Sequence, residues 1–154
     1  MVASSESGKR WYDIDERLRE MVETMERMGN DSQYLFGYLL CFFSEELVRT
    51  KGQTEALKDL DWDKLMGLIK SKRKRRWYDQ EPVLHKAFNM LYSLTDADKV
   101  LIATELYIPA RIVRSYERQC EDKDRRTDID MICDIVETAF KSGAEAAEAL
   151  FVGK

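Results

Sequence analysis

Arg76-Trp77-Tyr78-Asp79 repeats Arg10-Trp11-Tyr12-Asp13 at an offset of 66 positions, and the offset persists beyond the tetrapeptide. Carried forward, Leu18, Met21, Val22, Met25 and Met28 fall on Leu84, Ala87, Phe88, Leu91 and Leu94, apolar on apolar at each step. Steps of three and four residues trace one face of a helix, so a helical stripe occurs twice. Further on, Leu35, Phe36, Leu40 and Phe42 fall on Leu101, Ile102, Leu106 and Ile108, and Leu65, Met66 and Ile69 fall on Met131, Ile132 and Ile135. The repeated unit therefore covers 11–76 and 77–142, after a loose polar tail at 1–10 and before a helical tail at 143–154.

A 66-residue unit alone would bury too little surface to be more than marginal, whereas 154 residues suffice for one domain with a real core. With 44% hydrophobic and 35% charged residues but only seven Gly and two Pro, the mixture is globular and leans to helix. A net charge of −4 repels a phosphate backbone, so nucleic acid would need a local basic patch. Cys41, Cys120 and Cys133 are odd in number and lack C-x-x-C spacing, which predicts buried free thiols in a reducing, cytoplasmic compartment. The Ser-rich start has no apolar run of the kind a signal peptide carries. The densest apolar run, from Tyr34 to Phe43, is about half of the roughly 20 residues a membrane helix needs. It predicts a central helix buried all round, and no membrane association.

Taken in order, Asp13 and Glu16 have capping-box spacing, opening a first helix whose seam is Ile14, Leu18, Met21, Met25 and Met28. Gly29-Asn30 predicts a left-handed stop, and Asp31 or Ser32 a cap for the second helix, which runs to about Thr50. A short turn at 54–60 and a third helix from Asp61 follow. The second unit starts a fourth helix at Asp79, with Pro82 in its first turn, ending at Leu94. Thr95 to Asp98 caps a fifth helix, which Pro109 is expected to break or kink near Tyr107, with a further helical segment from Ala110 to about Cys120. Thr127 or Asp128 caps the sixth, with Ile129, Met131, Ile132, Ile135, Val136, Ala139 and Phe140 on its apolar face. Leu150-Phe151-Val152 should dock the tail onto the body.

No stretch alternates with period two for long, so the predicted fold is all-α. It is a six-helix bundle of two tandem three-helix repeats related by a pseudo-twofold, packed as one globular domain. The seam of the first helix is expected to meet the fourth helix, or the first helix of a second chain.

Lys70, Lys72, Arg73, Lys74, Arg75 and Arg76 place six cations in seven positions, whereas residues 11–69 hold seven Lys or Arg against thirteen Asp or Glu. With Trp77 and Tyr78 beside them they would suit phosphates and stacked bases, or a nuclear-localisation signal. The preferred reading is a solvated helix end that balances an acidic chain and suits the helix dipole. Trp11, Tyr12, Trp77 and Tyr78 suggest an aromatic clamp for a peptide or small ligand. Hydrophobic staples at the caps Asp13 and Asp79 are the preferred explanation.

Ile102 to Tyr116 resembles the helix-turn-helix of phage-repressor type, in which Ala103, Leu106, Ile108, Val113 and Tyr116 match the apolar positions around the turn. The resemblance covers a small part of the chain and fails where that family has Gly, since Tyr107 stands there. It implies a DNA-binding unit at 98–119, with Ala110, Arg111, Arg114, Ser115 and Arg118 facing the major groove. Repeat 1 has no such break, so a proline kink in a duplicated scaffold is the competing explanation.

No catalytic residue is predicted. His85 is the only histidine, so a multi-His metal site within the chain is excluded; a lone general base is conceivable but a surface residue is preferred. Asp59, Asp61 and Asp63 lack the Gly and closing Glu of a calcium loop, and no metal or cofactor is expected. The function expected is non-catalytic: a helical protein-interaction, scaffold or regulatory protein, binding a protein partner as a homodimer. The alternative is a DNA-binding regulator using 98–119, the basic run, or both.

Overall fold

The computed structural model describes residues 10–49 and 83–152, with 83–85 described by backbone alone. Among the described residues every regular element is an α-helix: α1 (Glu16–Arg27), α2 (Asn30–Arg49), α3 (Val83–Tyr92), α4 (Asp96–Asp122), α5 (Ile129–Ser142) and α6 (Ala144–Ala149). The expected turn at 54–60, the expected helix from Asp61 and the expected start of the fourth helix at Asp79 lie outside the described residues.

α1 starts two residues later than its sequence suggests. The Asp13 carboxylate is taken by Arg10, whose backbone N–H donates to Oδ2 at 2.9 Å and whose Nη2 donates to Oδ1 at 3.3 Å. Asp15 caps instead, its Oδ1 accepting from the N–H of Arg17 at 2.8 Å and of Leu18 at 3.1 Å. Ile14 therefore precedes the helix and is exposed rather than part of the seam, while Leu18, Met21, Met25 and Met28 are buried. Tyr12 sits three residues before the true cap, so it is a core residue rather than a staple. At the other caps local chemistry and structure agree. Thr95 Oγ1 accepts from the Asp98 N–H, and Asp128 Oδ1 accepts from the Asp130 N–H.

Gly29 does not act as a left-handed stop, because among the described residues only Gly143 is a glycine with positive φ. What Gly29 supplies is closeness. Its N–H donates to Glu117 Oε2 at 2.8 Å, and a Cβ there would lie 3.3 Å from the same oxygen. Nor does Ser32 cap α2, which already begins at Asn30; its hydroxyl donates to Glu117 Oε2 at 2.7 Å.

α2 is the central helix that its apolar run predicts, with Leu35, Phe36, Leu39, Leu40 and Phe43 fully buried. Burying each such side chain is worth roughly 1.5–3 kcal/mol, so α2 anchors the core. The pairing of helices is crossed. The most extensive packing joins α1 to α4 and α2 to α3, while α1 and α2 touch little. The α1 seam thus meets α4, not the helix that ends at Tyr92. A one-sided stripe specifies that a helix must be covered but not by what; α4, at about 40 Å for its 27 residues, offers a longer apolar face than the ten-residue α3. Met21 and Ala87, Met25 and Leu91, Phe36 and Ile102, and Leu40 and Leu106, the pairs related by the 66-residue offset, are all fully buried.

α4 runs without interruption through Pro109, so the break expected near Tyr107 is absent and 98–119 is not a helix-turn-helix. Proline inside a helix costs about 3 kcal/mol. Leu106, Ala110 and Val113 are fully buried on either side of it and Ile112 nearly so; at roughly 1.5–3 kcal/mol for each large side chain, packing outweighs the local cost. α5 buries Ile132, Cys133, Ile135 and Val136, and α6 returns along α5 and α4. Of the final trio, Phe151 docks while Val152 stays exposed. No helix among the described residues is long and apolar enough to cross a membrane.

Candidate functional site

The turn that carries Arg10 to Asp13 holds Trp11 against the exposed side of α3. Tyr12 points into the core, and Trp11, next to it, lies half-buried across the helix surface. Its ring meets Tyr12 edge-on at 5.2 Å, Phe88 at 6.4 Å and Tyr92 at 5.8 Å between centroids, all within the range where aromatic edges and faces attract. Phe88 and Tyr92, four apart on α3, lie on one face and each meets Trp11. Tyr92 is 58% exposed, so the outer end of this row faces solvent.

A cation lies beneath the rings. Lys99, in the first turns of α4, is buried, with Nζ 5.9 Å from the Trp11 centroid and 5.4 Å from that of Tyr92. Its remaining partner is Asp96 Oδ1 at 3.3 Å. Ring faces and one carboxylate thus compensate the loss of water around the ammonium. On the other side the Arg10 guanidinium stands 4.7 Å over Tyr12 and also reaches Glu23 at 3.2 Å. The Arg10 interaction holds the Asp13 carboxyl below the usual range, through hydrogen bonds from its backbone and then its side chain. The surface is an aromatic row edged by both signs of charge.

Of the site residues expected from sequence, Trp11 and Tyr12 belong to this row. Trp77, Tyr78, Lys70, Lys72, Arg73, Lys74, Arg75 and Arg76 lie outside the described residues, as do Asp59, Asp61, Asp63 and the His85 side chain. The residues expected to face DNA lie along one unbroken helix. Ala110 is buried. Arg111 grips Glu20 of α1 through two 2.8 Å hydrogen bonds, from Nε and from Nη2. Arg114 Nη1 donates to Glu117 and Glu121 at 3.2 and 3.1 Å. Only Ser115 and Arg118 of that set are exposed without such a bond. Sequence reasoning missed Phe88, Tyr92 and Lys99. The i, i+4 aromatic spacing of the first two was legible; nothing local marks Lys99, which is buried only because Trp11 arrives from elsewhere.

Among the described residues no group of three His, Cys, Asp or Glu is placed to hold a metal ion. Comparisons with protein-family models, with curated proteins and with solved structures give no match.

Proposed function

We propose that this chain is a non-catalytic, cytoplasmic interaction protein that acts through other proteins, and that its first partner is a second copy of itself. The observation that carries this reading is the Trp11–Phe88–Tyr92 row ending in an exposed tyrosine. Trp and Tyr dominate the energetics of protein interfaces because they bury much area while losing little side-chain entropy. The charges beside the row, Arg10 with Asp13 and Glu23, are paired with one another within the chain, so the apolar ring surface rather than charge would drive the contact. None of the three cysteines is in a disulfide among the described residues, which suits a reducing compartment. The crossed pairing of α1 with α4 and α2 with α3 is what two copies of one unit, exchanging helices about a pseudo-twofold, would produce.

Sedimentation velocity across a concentration series tests the proposal. Wild type should shift from monomer to dimer, and Tyr92→Glu should remain monomeric with unchanged helix content. A wild type that stays monomeric to its solubility limit, or a Tyr92→Glu variant that dimerises equally well, would overturn it.

A further inference from the structure

The last two turns of α4, the loop after it, the start of α5 and the chain beyond α6 border an open-sided cavity of about 270 Å³. Tyr116, Gln119, Cys120, Met131 and Phe151 line it, and Arg125, Arg126 and Asp128 stand at the loop side. The space is built, not incidental. Asp124 takes a left-handed conformation, φ 52°, which aspartate tolerates better than most residues, and the Arg125 N–H donates back to the Cys120 carbonyl at 2.8 Å. This turns the two arginines across the end of α4. The opposite wall is pinned by the Gln119 amide, which donates to the Phe151 carbonyl at 3.0 Å, and by the Phe151 ring against Tyr116 at 5.5 Å.

The chemistry of the lining is divided. Met131, Phe151 and the face of Tyr116 are apolar; Arg125 and Arg126 are exposed, and neither makes an ion pair among the described residues. The one carboxylate in the lining, Asp128, is committed to capping α5 through the Asp130 N–H at 2.9 Å. The Tyr116 hydroxyl accepts from the Asp128 N–H at 3.0 Å, and burial raises its pKa, so the phenol stays neutral.

We propose that this cavity binds a small organic anion, its carboxylate or phosphate held by Arg125 and Arg126 and its apolar body against Met131 and Phe151. Guanidinium groups match both oxyanions with paired hydrogen bonds. At about 30 Å³ per water, the volume exceeds what a bare inorganic anion would fill and suits a single ring or short chain. The inference does not depend on the dimer surface, which lies on α3 and the N-terminal turn.

Isothermal titration calorimetry of the full chain with phenyl phosphate, benzoate and inorganic phosphate tests it, using wild type, an Arg125→Gln/Arg126→Gln double variant and Met131→Trp. At least one of the two aromatic anions should bind saturably and about tenfold or more tighter than inorganic phosphate. Affinity should fall about tenfold or more in the double variant, whose exposed substitutions leave the fold intact by circular dichroism. No binding by either aromatic anion, or equal binding by the double variant, would overturn the site. Inorganic phosphate binding as tightly as phenyl phosphate would overturn the apolar contact. Met131→Trp, whose larger side chain occupies the cavity, should abolish binding while retaining the helical signal; undiminished binding would place the ligand elsewhere.

Discussion

The hydroxyl of Ser32 donates a 2.7 Å hydrogen bond to the carboxylate of Glu117, 85 residues further along the chain. The same oxygen accepts from the Gly29 N–H, and the other oxygen from Arg114. One buried carboxylate thereby ties the α1–α2 junction to α4 at the place where the crossed helix pairs meet. Glu117→Ala would leave the Gly29 and Ser32 donors without their acceptor and Arg114 with Glu121 alone, and should cost about 3 kcal/mol. Ser32→Ala removes a single donor and should cost about 1 kcal/mol. Urea unfolding of both variants checks the order; equal losses would mean the carboxylate is not shared in solution.

Pro109→Ala should stabilise the protein. Removing the proline returns roughly 3 kcal/mol of helix propensity, while the smaller side chain gives up about 2 kcal/mol of buried ring, leaving a gain near 1 kcal/mol. Thermal denaturation would show a higher midpoint. A large loss would indicate that the residue holds a bend the core requires.

The Arg111–Glu20 pair joins α4 to α1 with ideal two-pronged geometry, yet its side chains are 56% and 36% exposed. Solvent screening therefore limits its worth to less than about 1 kcal/mol. A double-mutant cycle with Arg111→Ala and Glu20→Ala at low and high salt should give a small coupling that shrinks with salt. Fluorescence anisotropy with a DNA duplex should show no dependence on Arg111, because the helix that carries it has no turn and the guanidinium is engaged.

Cys41 is half-buried, and burial raises its thiol pKa above the usual value. A group whose pKa is higher folded than unfolded binds more protons in the native state above its unfolded pKa. Its contribution is then complete below that value and is lost as pH rises through the folded one. Stability of wild type should fall more steeply than that of Cys41→Ala above about pH 9, seen in urea midpoints. At neutral pH, alkylation of Cys41 in the folded protein should be slower than in the unfolded chain.

What could be read directly from the chain is what depends on neighbours in sequence. The stripe Leu18, Met21, Met25, Met28 and the run from Tyr34 to Phe43 predict buried helical faces, because a 3.6-residue period assigns a face whatever covers it. Thr95 with Asp98 and Asp128 with Asp130 act within three residues, so their caps were legible. Asp13 was not, because Arg10 competes for its carboxylate and Asp15 offers an alternative cap two residues on. The tertiary structure alone decided three matters: that α1 packs on α4, that Pro109 lies inside an unbroken helix, and that Trp11, Phe88, Tyr92 and Lys99 form one surface. Each is settled by burial between segments far apart in the chain. Summed over a helix face, that burial exceeds the one to three kcal/mol by which a cap, a proline or a turn residue expresses its local preference.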